Sequence, residues 1–243
     1  MSQHQYHYLI AGLPDISLDN QKEWISIPSF REMLAFELLE DDFEQAKLVF
    51  LKEDNENLVE YLETGDVEEL GAGNFSVEDF KEQMELSSIN PEDDVLPNYI
   101  TEVLRQFKSE EKEFDPVKYS HILAEKYYDH IMEKGCEFLK KYTRFEYALE
   151  NLTAFLEAEK HDLDKGRFIT GSGSHANHLR NYISRSLSKD PEFDYFDEIA
   201  NNITNDSLVE REMNIDKLKW RLIDEMIFFE DFSSDWVMGY LKQ

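Results

Sequence analysis

Apolar residues at Phe138, Tyr142, Phe145, Leu149, Leu152 and Leu156 are separated by steps of alternately four and three, which places all six along one side of a helix. No Gly or Pro interrupts Phe138–Leu163, and Ala, Leu, Glu and Lys fill most of the remainder, so local propensity agrees with the periodicity. A helix over 138–163 is predicted, roughly 39 Å long at about 1.5 Å per residue. Its apolar seam has to be covered, which makes it the element on which other helices pack.

The rest of the chain reads as shorter apolar runs divided by turn residues. Tyr6–Asp15, closed by Pro14, is either a short strand or a buried helical turn. Ser29 with Glu32 forms a capping box that predicts a helix from Phe30 through Leu39. The acidic break Glu40-Asp41-Asp42 opens a second helix running to Leu51, and Asp54-Asn55-Glu56-Asn57 is expected to end it. A third spans Leu58–Leu62 and stops at Gly65, after which Gly71–Asn74 is loop. Ser76 with Asp79 opens a helix to about Leu86. Asn90–Pro97 is an acidic linker, and Pro97 starts a helix over Asn98–Phe107. Asp115-Pro116 starts the next, running to Met132, and Gly135 either kinks it or parts it from the central helix. Beyond Leu163, helices are predicted over His175–Leu187, Glu192–Ile203 and Leu208–Phe232, the last with Leu218, Leu222, Met226 and Phe229 in register. A short C-terminal helix carries Trp236, Val237, Tyr240 and Leu241. The fold class is all-α, a multi-helix bundle of long antiparallel hairpins in one domain over 1–243, divisible into an acidic lobe (1–96) and a long-helix lobe (97–243).

Composition agrees with helices: 41% of the chain is hydrophobic, and only 9 Gly and 6 Pro serve its turns. Charge adds something the pattern does not. The net charge is −28, and residues 40–116 alone hold 24 acidic and 6 basic side chains. Such a surface repels phosphate backbones and anionic lipid, which argues against nucleic acid and for a basic protein partner. The single Cys136 excludes an internal disulfide, fits a reducing compartment and reads as a small buried apolar residue. No signal peptide and no run of about 20 apolar residues is visible, so a cytoplasmic protein is expected.

Catalytic patterns are missing. No His has a Glu three residues before it, as a carboxylate-bridged dimetal bundle requires, and neither His-Glu-x-x-His nor Gly-x-Ser-x-Gly occurs. His175 and His178 lie one helical turn apart, half of a zinc site, and read as surface or capping residues. Thr170-Gly171-Ser172-Gly173-Ser174, with Lys165, Arg167 and Arg180 nearby, is either an ordinary linker or a cradle for an anion or acidic partner. It lacks the Gly-Lys-Ser/Thr ending of a P-loop. No enzyme, cofactor or metal is indicated. Cations are scarce, so Arg144, Arg180, Arg185, Arg211 and Arg221 stand out, either as partners of surplus carboxylates or as contacts to another protein. Trp24, Trp220 and Trp236 are core or interface anchors. The candidate partner contacts are Arg144, Arg180, Arg185, Arg221 and Trp220.

Tyr8-Leu9-Ile10-Ala11-Gly12-Leu13-Pro14-Asp15, Phe30-Arg31-Glu32 and Tyr147-Ala148-Leu149-Glu150-Asn151-Leu152 resemble a family of bacterial proteins, DUF2764, encoded beside V-type ATPase subunits. The resemblance covers essentially the whole chain. That family is in turn similar to the C subunit of V/A-type ATPases, the counterpart of the vacuolar d subunit, which carries a comparable Glu-Asn-Leu on a long helix. The resemblance implies a helical bundle like that of the V-type ATPase C subunit, and with it a mechanical role: a non-catalytic subunit or assembly partner between the central stalk and the membrane rotor ring of a proton- or sodium-transporting complex. It also implies peripheral association with the inner membrane through those partners. Two other classes remain open from the residues, an acidic adaptor or nucleic-acid mimic on a basic partner, and an enzyme without a recognisable motif.

Overall fold

A computed structural model describes residues 6–18, 25–65, 73–85, 95–109, 114–172, 174–181, 195–205 and 207–243. Every regular element among them is helical. The chain divides into two compact units: Ile25–Gly135, and a second assembled from Met1–Trp24 with Cys136–Gln243. Residues 90–97, the expected seam between two lobes, fall inside the first of these, in part outside the described residues.

The Ile25–Gly135 unit contains α2 (Ile27–Glu37), α3 (Glu40–Thr64), α4 (Val77–Glu85), α5 (Asn98–Ser109) and α6 (Pro116–Lys134). Helix α2 starts earlier than the Ser29/Glu32 box implies. Ser26 is the cap, its side chain accepting from the Ser29 N–H, and Pro28 sits in the first turn. Helix α3 is one continuous element, where the turn residues predict two. Asp54, Asn55 and Asn57 do not end it, because their side chains are buried and find partners inside the unit. It closes at Gly65, whose φ of 80° is the left-handed conformation glycine takes without penalty. Ser76 and Asp79 cap α4 reciprocally: the Asp79 N–H donates to Ser76 Oγ at 3.2 Å and the Ser76 N–H to Asp79 Oδ2 at 2.7 Å. Asp115 caps α6 through the Val117 and Lys118 N–H groups, as its Asp-Pro signal predicts. Helices α3 and α6 pack along one another and run antiparallel, since Gln45 reaches Lys134 while Tyr127 reaches Leu48.

The other unit contains α1 (His7–Gly12), α7 (Glu137–Lys160), α8 (Lys165–Phe168), α9 (Ser174–Arg180), α10 (Phe196–Ile203), α11 (Leu208–Ile227) and α12 (Ser234–Lys242). The N-terminal run is therefore a helical turn, and Gly135 separates α6 from α7 instead of kinking a longer helix. As its periodicity requires, α7 is the centre: α8, α9, α10, α11 and α12 all pack against it. Leu149, Leu152 and Phe155 meet Ile169, Ala176, Leu179, Ile199, Ile203 and Leu218 in one core, each side chain contributing about 1.5–3 kcal/mol on burial if large. Two details depart from the expected seam. Phe155 occupies the fully buried position in place of Leu156, and three polar residues, Thr143, Glu146 and Asn151, lie within the buried face. Helix α11 stops at Ile227, and its register slips to Ile223 and Ile227, leaving Phe229 88% exposed. The predicted helical residues beyond Arg180 and before Phe196 lie for the most part outside the described residues. No helix among the described residues is long and apolar enough to cross a membrane.

Candidate functional site

The polar residues within the buried face of α7 are where the unit's fastening chemistry gathers. Tyr147 and Asn151 are one turn apart and both reach the backbone of Thr170. Asn151 Oδ1 accepts from the Thr170 N–H at 2.7 Å, its Nδ2 donates to the Thr170 carbonyl at 3.2 Å, and the Tyr147 hydroxyl donates to that carbonyl at 2.7 Å. The amide of Asn151 thus replaces a paired backbone strand, satisfying both groups of a residue that no helix serves. Arg180 holds the preceding residue, donating from Nη2 to the Ile169 carbonyl at 2.6 Å. In the Glu150-Asn151-Leu152 segment, Asn151 is the clamp, Leu152 is core, and Glu150 is the exposed member.

Immediately before Tyr147, on the same helix, Glu146 is 7% exposed and faces two lysines. Lys219 Nζ of α11 lies 3.7 Å from one carboxylate oxygen and Lys242 Nζ of α12 lies 3.9 Å from the other. The Lys242 ammonium also sits 5.2 Å from the centre of the Tyr142 ring. A buried carboxylate between two cations is a device that ties three helices together, and removing either sign leaves a desolvated charge.

Of the two readings of Thr170–Ser174, linker or anion cradle, the cradle would draw on groups that are already engaged. The Thr170 N–H belongs to Asn151, Arg180 is held by Ile169 and by Asn177 Oδ1 at 3.3 Å, and Lys165 pairs with Glu159 at 2.8 Å while lying over the Phe155 ring. The imidazoles of His175 and His178 lie outside the described side chains. Among the described residues no group of three or more His, Cys, Asp or Glu is placed to hold a metal.

The candidate contacts separate into individual settings. Arg221 pairs with Glu198 at 2.8 Å and lies 6.0 Å from the centre of the Tyr195 ring. The hydrogen bond to Glu198 holds its pKa above the ordinary value. Arg211 pairs with Glu157, and Arg180 is the backbone clamp just described. Trp220 is half-buried on α11, and Trp236 stacks on Tyr240 at 5.6 Å. Arg144 is exposed on α7. Arg185 and Trp24 lie outside the described residues. Between α10 and α11 lies an open cleft of about 460 Å³. Three of its four asparagines are spent internally: Asn202 Nδ2 donates to the Arg211 carbonyl, Asn214 Nδ2 to Asn202 Oδ1, and Asn205 Nδ2 to Glu210.

A second polar cluster, unrecognised in the sequence, lies in the Ile25–Gly135 unit. Asp54 has no exposed surface. Its Oδ1 accepts from the N–H groups of Asn74 (2.6 Å) and Phe75 (3.0 Å), and its Oδ2 from Asn74 Nδ2 (2.7 Å). Arg31 completes the cage, donating to the Gly73 carbonyl and, at 3.0 Å, to Asn74 Oδ1, with its guanidinium 4.6 Å from the centre of the Phe50 ring. Burial pushes the Asp54 carboxyl up to about 6, against the pull of those N–H donors and of Arg31. Next to it Asn55 Oδ1 accepts from the Tyr99 hydroxyl at 3.0 Å. The signal was present as polar side chains at helical spacing with no Gly or Pro among them; read as a turn, Asp54–Asn57 concealed it.

Both clusters bind backbone and helices, and neither leaves converging donors open toward a ligand. No curated protein and no solved structure matches the chain. The model of the family described as a protein of unknown function (DUF2764) matches residues 1–243, and the chain therefore belongs to that family.

Proposed function

We propose that this protein is a non-catalytic subunit or assembly partner of a V/A-type ATPase, linking the central stalk to the membrane rotor ring. The observation that carries the reading is the treatment of α7. Glu146, Tyr147 and Asn151 on its packed face fasten neighbouring helices and the Thr170 backbone, and only the buried Thr143 hydroxyl beside them is left without a partner, which suits a part that transmits force and does no chemistry. The Glu150-Asn151-Leu152 similarity to the ATPase C subunit falls on that same helix. The acidic stretch 40–116 complements basic loops of a ring or stalk, where opposite potentials raise association rate and select partners.

The test is a pull-down with the tagged chain from detergent-solubilised membranes of the native host, with partners identified by mass spectrometry. Recovery of the catalytic A and B subunits together with stalk and ring subunits is the expected result. Recovery of the bait alone, or with one basic soluble protein, would remove the subunit reading and leave the acidic adaptor in its place. Reversing the charge of several carboxylates between Glu40 and Glu63 is expected to weaken the assembly; unchanged recovery would separate the acidic face from the contact.

A further inference from the structure

The turn that follows α11 exposes aromatic surface that the fold does not need. Phe228 is 70% exposed and Phe229 88%, their rings 4.8 Å apart and edge-on at 89°. Phe232 joins them from the other end of the turn, with its ring 4.2 Å from that of His7. The Phe232 carbonyl accepts from the Tyr6 N–H at 2.7 Å, so α1 is pinned to the turn and brings Tyr8, 93% exposed, to the same end of the unit. Phe232 holds a φ of 61°, a left-handed conformation that a bulky side chain adopts at a cost. Solvent-facing Phe pairs are unfavourable in water, and aromatic side chains are the group most enriched at the centres of protein interfaces.

The surroundings of the patch select its partner. Between Leu222 and Leu241 the chain carries Asp224, Glu225, Glu230, Asp231 and Asp235 and neither Lys nor Arg. Asp224, Glu225 and Asp231 are exposed. A second copy of this chain would set one acidic rim against another, and an anionic bilayer would be repelled in the same way. We infer that the Phe228–Phe229–Phe232 turn, with Tyr8 beside it, is a docking surface for a basic amphipathic segment of another protein, its apolar face on the rings and its Lys or Arg residues on the surrounding carboxylates. This surface stands whether or not the partner belongs to an ATPase.

The test uses the full chain and a synthetic helical peptide with leucines along one face and lysines on the other, titrated calorimetrically at near-physiological salt. Phe228→Ala/Phe229→Ala is expected to weaken binding about tenfold or more, the loss typical of a central aromatic pair. Glu225→Gln/Asp231→Asn is expected to weaken it about fivefold and to flatten its salt dependence. Phe36→Ala, which removes an equally exposed ring (85%) on α2, should leave affinity unchanged. Because the truncated rings are exposed, helicity by circular dichroism should match the parent in every variant. The inference is overturned if the parent ignores the peptide, if Phe228→Ala/Phe229→Ala binds as tightly as the parent, or if a glutamate-faced peptide binds equally well. It is also overturned if the double variant abolishes self-association or binding to phosphatidylcholine vesicles that the parent displays.

Discussion

At the scale of single residues, Asp54 sets a pH dependence opposite to the usual one for a hydrogen-bonded carboxylate. Its folded pKa is raised to about 6, with burial as the main cause. Between about pH 4 and 6 the folded state therefore keeps a proton that the unfolded state has released, and the stability contributed falls as pH rises through that window. The full effect is about 3 kcal/mol between the two limits. Thermal unfolding should show a higher midpoint near pH 5 than near pH 7.5, and Asp54→Asn should shrink that difference; an unchanged difference would place its origin elsewhere. Cys136 is a second residue-scale case. Burial, reinforced by the Asp235 carboxylate, pushes its thiol up to about 12. Alkylation by iodoacetamide near pH 8 should then run roughly a thousandfold slower than for a free cysteine, and a rate within tenfold of the free thiol would contradict the assignment. Asn151→Ala is expected to cost about 1–3 kcal/mol in denaturant unfolding, because the half-buried Thr170 N–H loses its acceptor.

At the scale of elements, two glycines mark close approaches. A Cβ on Gly73 would sit 2.2 Å from Asp54 Oδ1 and 3.0 Å from Asn57 Nδ2, side chains that are themselves buried and cannot swing away. A Cβ on Gly239 of α12 would sit 2.6 Å from Ile227 Cγ2 of α11. Gly73→Ala and Gly239→Ala should each lower stability by roughly 1–3 kcal/mol, whereas Gly12→Ala, with nothing within 4 Å, should be neutral or slightly stabilising. Most of the elements were legible for a physical reason. The caps at Ser76 and Asp115 and the stops at Gly65 and Gly135 act locally, through backbone groups a few residues away, and so leave their mark in the sequence. What could not be read was tertiary. Asp54, Asn55 and Asn57 look like a turn until the Gly73–Phe75 backbone and Tyr99 are brought to them from beyond the end of α3. Glu146 was legible in principle, since it lies four residues after Tyr142 and three before Leu149, in the apolar seam; its two lysines come from helices far along the chain. The candidate arginines carried no such positional signal. Arg180 and Arg221 are committed to partners within the molecule, while Phe229, which the periodicity puts in register with Leu218, Leu222 and Met226, lies beyond the end of the helix.

At the scale of the whole molecule, the charge of −28 is a standing cost to compactness, concentrated where residues 40–116 hold 24 acidic against 6 basic side chains. Moderate salt screens such repulsion within about 8–10 Å, so the unfolding midpoint should rise between low and near-physiological ionic strength. A midpoint that falls instead would show that ion pairs such as Arg221–Glu198 and Lys126–Glu102 outweigh the net repulsion.

The division of the chain has a consequence for synthesis. Ile25–Gly135 is contiguous, whereas the other unit needs its first residues beside its last: the Tyr6 N–H on the Phe232 carbonyl, the Tyr240 hydroxyl on the Pro14 carbonyl. On a ribosome adding about 5–20 residues per second, the inserted unit can complete itself while the opening segment waits, on the order of ten seconds or more, for the closing helices to emerge. During that interval Tyr6 and Leu9, both destined for burial, have no docking place. The N-terminal turn is thus the part of the nascent chain most dependent on being shielded, and the last to become native.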